Sequence, residues 1–346
     1  MPTPAYAAAD AKSDLKPFAI ERRKVGPKDV GISIDFCGVC HSDLHMARND
    51  WGMSQYPLVP GHEMIGTVTE VGPEVKDLKP GDRVGVGCLV DSCRACDACK
   101  KDLEQFCPSM VLTYSSPTKD PGGLTFGGYS KAIVVERRFV VRVPTNLDPA
   151  AAAPLLCAGI TTYSPLAHWK VGKDSTVGVI GLGGLGHMGI KFSHAMGART
   201  VMITRSPGKA GDAKKLGADD VLLSTDDSAM AEWAGKFDFL LNTIPVAHDI
   251  NPYMPLLKVD GVMCVVGLMG ELESVGTVPM VMGRRTIAGS LIGGLKETQD
   301  MLDFCGKHNI VSDIEKIAMA DINTAYDRLQ KSDVKYRFVI DMTTLN

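Results

Sequence analysis

Nowhere in its 346 residues does this sequence hold eighteen consecutive apolar residues, and its beginning lacks a basic segment followed by an apolar one. Neither a membrane-spanning helix nor a secretory leader is expected, and the cytoplasm is the expected location. Charge of one sign is also missing: 37 Lys plus Arg stand against 40 Asp plus Glu, a formal net charge of −3. Such a balance offers no field for nucleic acid or an anionic membrane surface, so neither is an expected partner. Internal repeats and low-complexity segments are absent, and 36 Gly with 20 Pro supply turns without a collagen-like period. Ten cysteines in a chain this long do not make a small disulfide scaffold. In a reducing compartment clustered thiolates serve metals more often. The length accommodates two domains, each with its own core.

From Val30 to about Val143 short apolar strands alternate with turn signals, as in DVGISIDFCG, MIGTVTEVG, KPGDRVGVG and YSKAIVVERRFVVRVP. β-Branched runs and PG or GD turns favour strands over helices. After Pro149 the texture changes. DSTVGVI, RTVMIT, DDVLLS, FDFLLNT, DGVMCVVG and RTIAGSLI read as strands, with helical IKFSHAMG and KAGDAKKLGA between the first three. Alternation of this kind requires a parallel sheet with helical crossovers. Helical ETQDMLDFCGKH is expected to close that region, and INTAYDRLQ with YRFVIDM to return to the first domain. The boundaries expected are 1–151, completed by about 296–346, and 152–295.

GLGGLGH, Gly181 to His187, follows a buried-type strand and opens a helix. Gly181 permits the tight turn, Gly183 a close approach of backbone to pyrophosphate, and Gly186 close helix–strand packing, with Gly184 and Leu185 completing the turn. Phosphates belong at the helix N-terminus, where unpaired N–H groups point outward. The second strand ends in TRSPGK, where an NAD site places a carboxylate. Arg205, Ser206 and Lys209 instead suit the 2′-phosphate of NADP, the competing reading being solvated surface residues.

Cys93, Cys96, Cys99 and Cys107 offer four soft ligands in one short loop, suited to closed tetrahedral zinc. An iron–sulfur cluster is the competitor. A second set is dispersed: Cys40 in GVCHSDLH, His62 and Glu63 in PGHEMIG, and Cys157 in LLCAGITTY. One imidazole and two thiolates make a zinc shell whose fourth position is open to water, substrate or carboxylate. Sequence distance does not show that these residues meet. Cys37 lies three residues before Cys40, but a redox pair there competes with a site that is already complete. Cys88, Cys264 and Cys305 read as core, and His168, His187, His194, His248 and His308 carry no ligand pattern.

With these motifs in family order, together with NDWG, YPLVPGHE, FGGYS and IAGSLIGGLKETQDMLDFC, the chain resembles the zinc-containing medium-chain alcohol dehydrogenases over nearly its whole length. It is most similar to the NADP-dependent cinnamyl alcohol dehydrogenase-like branch with its bacterial aldehyde reductases. The resemblance implies an α/β protein: a GroES-like, mostly β catalytic domain and a doubly wound Rossmann domain. It implies two zinc ions per chain, one catalytic on Cys40, His62 and Cys157 and one structural on the clustered cysteines. Glu63 would enter the catalytic shell during ligand exchange, and Asp43 would orient the zinc histidine. Ser42 would hydrogen-bond the substrate oxygen, His45 would form the outer end of a proton relay, and His41 would lie near the pyrophosphate. Trp51 and Leu112 fall where substrate-pocket residues are found. Plant enzymes acting on hydroxycinnamaldehydes usually carry tryptophan at the latter place, so Leu112 implies breadth. A homodimer reducing aromatic or medium aliphatic aldehydes is expected. A polyol or other secondary-alcohol dehydrogenase of the same superfamily is the alternative. A zinc-free quinone reductase would lack the dispersed set, and a non-enzymatic role would leave it without purpose.

Overall fold

A computed structural model describes residues 2–268, 270–272 and 274–345. Two compact units emerge, Met1–Cys157 with Gly293–Asn346 and Ala158–Ile292. No single helix among the described residues is long and apolar enough to cross a membrane.

The first unit is built on the strand Asp29–Val39, whose Val30, Ile32 and Ile34 are buried. One side pairs antiparallel with Met64–Val71; the other is shared by Ala132–Glu136 and Arg337–Asp341. Arg83–Val86, Val141–Arg142 and Ile314–Ala318 extend the sheet to seven strands. Antiparallel register decides where chemistry can sit. Cys37 pairs with Met64, so the chain leaving the first strand at Cys40 meets the chain entering the second at His62 and Glu63. Phe338 pairs with Val39, which brings Arg337 to the same sheet end.

Six parallel strands form the second unit, ordered Asp220–Leu223, Arg199–Thr204, Thr176–Ile180, Phe237–Asn242, Leu257–Val265, Thr286–Gly289. That order is the doubly wound arrangement, with the first strand of the unit at the point where the winding reverses. Helix Gly186–Ala195 follows that strand, and Ile180, Val201, Ile203, Leu240 and Met263 fill the core. Gly178 is required within it, since a Cβ there would lie 2.4 Å from Leu240.

Helix Leu295–His308 belongs to the first unit, on the same side as the boundary expected near 296, although its pattern alone read as closing the parallel-sheet region. Gln299 exchanges hydrogen bonds with the backbone of Arg142 at 2.8 and 3.0 Å, and Leu295 N–H donates to Glu104 at 3.2 Å. An amphipathic helix announces an apolar face; polar partners like these, far away in sequence, decide which core receives it.

At the glycine-rich turn, Gly181 adopts φ +93°, and a Cβ on Gly186 would sit 2.0 Å from the Gly181 carbonyl oxygen. Gly183 faces open space. Gly186→Ala should therefore lower stability by about 1–3 kcal/mol in urea unfolding, the usual range for overpacking. Gly183→Ala should change it by less than ~0.5 kcal/mol, as for an open surface site.

Candidate active site and metal centres

Cys40 stands at the end of Asp29–Val39 and starts the helix His41–Ala47. His62 and Glu63 immediately precede Met64–Val71. Cys157 closes the 3-10 turn Ala153–Leu156, which follows a short helix capped by Asp148 through the N–H groups of Ala150 and Ala151. The structure brings these dispersed residues together. The ligand atoms of Cys40, His62, Glu63 and Cys157 all lie within 4.8 Å of one another, and all four residues are buried. Cys40 Sγ and Cys157 Sγ are 4.0 Å apart. Two Zn–S bonds of about 2.3 Å at a tetrahedral angle would place their sulfurs about 3.8 Å apart. The donor set fits zinc.

Asp43 organises this cluster from full burial. Its Oδ1 accepts from His62 Nδ1 at 3.0 Å and from Gly61 N–H at 3.0 Å, and its Oδ2 accepts from Cys40 N–H at 2.9 Å. With Nδ1 committed to the carboxylate, His62 keeps the lone pair of Nε2 for a metal. Burial opposes charge on the ring, but Asp43 together with the neighbouring Cys88 and Cys40 thiols more than offsets it and holds the metal-free His62 well above the usual histidine range.

Glu63 is fully buried, and the space for it exists because residue 38 is glycine: a Cβ there would overlap the Glu63 carboxylate. Oε1 accepts a hydrogen bond from Arg337 Nη2, whereas Oε2 has no partner. Burial pushes the carboxyl up to about 7, against the pull of Arg337. An orphaned buried carboxylate oxygen beside two thiols and an imidazole is a further reason that a cation fits here.

Ser42 Oγ lies 3.6 Å from Cys40 Sγ. His45 is half-buried, and its Nδ1 pairs with Asp50 at 2.7 Å. Its ring sits 5.2 Å from that of Trp51. His41 is partly buried, and burial draws its ring below the usual range. Leu112 lies in a small ribbon formed by Leu89–Asp91 and Val111–Leu112. No contact places it in the metal cluster; Tyr114, two residues on, packs its ring 5.7 Å from His62. Sequence reasoning missed Arg337, Asp50 and Tyr114. A lone arginine within the apolar strand RFVID was the available signal for the first.

The clustered cysteines also converge, their sulfurs within 4.8 Å of one another and those of Cys93 and Cys99 3.9 Å apart. Backbone N–H groups aim at them: Cys96 N–H on Cys93 Sγ at 3.3 Å, Cys99 N–H on Cys96 Sγ at 3.5 Å, Cys93 and Ser109 N–H on Cys107 Sγ at 3.3 Å each. The N–H groups of Ala95 and Cys96 draw the Cys93 thiol down to about 6, whereas at Cys96, against the pull of the Cys99 N–H, burial and the neighbouring thiols push it up to about 11. Cys264 and Cys305 are core, as expected, and Cys37 is buried. Cys88 is only half-buried, its Sγ 3.8 Å from the Leu156 carbonyl.

In the second unit, Lys209 Nζ donates to the Leu182 carbonyl at 3.1 Å, tying the end of one strand to the glycine turn after another. His187 is buried behind the turn, its Nδ1 3.2 Å from the Gly183 carbonyl oxygen, while Gly184 and Leu185 are partly exposed. Arg205 and Ser206 are exposed, and Arg205 has no ion-pair partner among the described residues.

Residues 26–145 match the alcohol dehydrogenase GroES-like domain family, and residues 184–307 the zinc-binding dehydrogenase family. Aldehyde reductase YahK of Escherichia coli is 53% identical over 99% of this chain and 98% of its own length. A probable mannitol dehydrogenase of Medicago sativa is 52% identical over 97% and 94%. Among solved structures, the cinnamyl alcohol dehydrogenase SbCAD4 of Sorghum bicolor matches with a TM-score of 0.96 and 44% identity, covering 100% of this chain and 99% of that one. CAD of Helicobacter pylori, complexed with NADP(H), matches with a TM-score of 0.92 and 42% identity over 100% of both chains. The chain belongs to the zinc-binding medium-chain alcohol dehydrogenases, in their cinnamyl alcohol dehydrogenase-like branch.

Proposed function

We propose that this protein is a zinc- and NADP-dependent alcohol dehydrogenase that reversibly reduces aromatic and medium aliphatic aldehydes to primary alcohols. The observation that carries the reading is the buried Cys40, His62, Glu63 and Cys157 cluster, with His62 oriented by Asp43. Zinc bound there supplies Lewis-acid polarisation of a carbonyl. Cys40, His62 and Cys157 are the residues that would hold it, with Glu63 as the exchanging carboxylate. Ser42, whose Oγ lies beside Cys40 Sγ, would hydrogen-bond a substrate oxygen, and His45 would pass the proton onward. Asp50, bonded to His45 Nδ1, fixes the tautomer that leaves Nε2 available. A second, structural zinc in the loop of Cys93, Cys96, Cys99 and Cys107 fits both the sulfur geometry and the zinc-binding family, which weighs against an iron–sulfur cluster.

The NADP reading draws support from Arg205 and from the NADP(H) complex of the Helicobacter relative. A polyol dehydrogenase remains the second reading, favoured by the relative named as a probable mannitol dehydrogenase. We further propose a cytoplasmic homodimer. Ten free cysteines support a reducing compartment. Support for self-association comes from the sheet-edge strand Thr286–Gly289 and the preceding helix Thr277–Gly283, where Val278, Val281 and Met282 are 70%, 77% and 80% exposed.

Three measurements test this reading. Catalytic efficiencies on benzaldehyde, cinnamaldehyde, medium aliphatic aldehydes and mannitol should favour the aldehydes; a sugar alcohol as the best substrate would install the polyol reading. Elemental analysis should find two zinc ions per chain, with Cys157→Ser abolishing activity in a folded protein and Cys99→Ser mainly impairing folding. Arg205→Ala should lower efficiency with NADPH by about tenfold or more, as loss of a charge-assisted hydrogen bond worth roughly 1.5–3 kcal/mol implies. Efficiency with NADH should be nearly unchanged.

A further inference from the structure

Three chain segments meet at Asp43, and the third has no place in the proposed chemistry. Tyr129 is fully buried, and its Oη donates to Asp43 Oδ2 at 3.4 Å, the oxygen that also accepts from Cys40 N–H. Its backbone is fixed independently. Tyr129 N–H donates to the Pro60 carbonyl at 2.9 Å, Gly128 N–H to Gly61 at 2.8 Å, and Gly127 N–H to Val59 at 2.8 Å. Residues 127–129 thus run alongside the turn that delivers His62. The ring also shapes that turn: Gly61 adopts φ +100°, and a Cβ there would lie 2.7 Å from Tyr129 Cδ1.

We infer that Tyr129 is a positioning residue for the catalytic metal, its hydroxyl fixing the rotation of Asp43 so that Cys40 and His62 are presented together. The inference rests on the zinc assignment proposed above. A buried carboxylate with several lone pairs needs a donor for each, and a missing donor leaves charge unsatisfied. Oδ1 already serves His62 and Gly61, so the donor on Oδ2 decides how firmly the group resists turning. A phenylalanine would preserve the packing and remove only this donor. Tyr326 supplies a graded comparison. It too is buried near the carboxylate, but its Oη makes no hydrogen bond to Asp43 and interacts instead with the Tyr129 hydroxyl, one step further from the metal cluster.

The test compares Y129F and Y326F with the unmodified zinc-loaded protein, following zinc transfer to a chromogenic chelator. Partners behind a ligating histidine typically alter metal affinity about 10- to 100-fold. One long bond further out, Y129F should speed release of one ion per chain by about three- to tenfold, leave the other ion unchanged, and lower kcat without changing KM for NADPH. It should also perturb the visible spectrum of the cobalt-substituted site. Y326F, which acts only through the Tyr129 hydroxyl, should change release of that ion by clearly less than Y129F does. Equal release rates for Y129F and the unmodified protein would overturn the inference, as would an equal effect of Y326F. Should Y129F fail to fold, 3-fluorotyrosine at position 129 keeps the hydroxyl and makes it a stronger donor. Slower release is then expected, and unchanged release overturns the inference. Metal release does not depend on the substrate, so failure of the aldehyde panel alone would sink the functional reading and leave this one standing.

Discussion

The metal cluster depends on one buried carboxylate. Asp43 accepts from the backbone of Cys40, from the backbone of Gly61 and from the ring of His62. A charge taken out of water is tolerated only when its lone pairs are met. Meeting them here means holding the end of one strand and the entry to its neighbour at fixed separation. The same group serves as the N-terminal acid of the helix His41–Ala47, favourable beside unpaired helix N–H groups. Local helix chemistry and ligand orientation are therefore one interaction, which places Ser42 and His45 on a helix whose start cannot drift from the cluster.

The cysteine loop follows another rule. Few apolar side chains lie between Cys93 and Cys107, so burial supplies little of its stability. Backbone N–H groups point at three of the four sulfurs before other packing is considered. Docking is polar as well. Glu104, almost fully buried, accepts from Leu295 N–H and pairs with Arg138. Gly294 lies so close to Asp102 that a Cβ would sit 1.9 Å from its carbonyl oxygen. A loop held by a cation and a few polar contacts responds to ligand loss as a folding unit, unlike the dispersed cluster, whose residues are ends of sheet strands and a capped turn.

What was legible in the sequence was contiguous. The glycine turn, the four-cysteine loop and the strand pattern each carry their physics within a few residues. The dispersed cluster was legible only through the resemblance, because no local signal says that Cys157 meets Cys40. Arg337 could be singled out as an arginine on an apolar strand, but its partner could not: Glu63 lies 274 positions away, and antiparallel register alone brings them together. Tyr129 was quoted as part of FGGYS but carried no role, since a buried tyrosine reads as core until its hydroxyl has an acceptor. Helix Leu295–His308 carries an apolar stripe that is silent about which sheet it covers, so its pattern alone pointed to the parallel sheet while the expected boundary near 296 gave it to the first unit.

Both candidate metal sets are complete within the first unit, whereas Arg205, Ser206, Lys209 and the glycine turn belong to the second. Each unit has its own sheet. Under the proposed function, metal uptake would then be a property of how the first unit folds, and cofactor preference a property of one strand end in the second. Such a division would let a substitution at Arg205 change the preferred nicotinamide, as proposed above, without disturbing Asp43 or the residues it orients. Substrate range has no comparable anchor. Trp51 contacts His45 but is partly exposed, and Leu112 lies in a two-stranded ribbon. Aliphatic walls discriminate weakly, by about 1–3 kcal/mol per methylene. On the proposed reading, the chemistry would therefore be fixed by buried polar pairings that few substitutions tolerate, while the choice of aldehyde would be left to residues that can change without cost to the metal site.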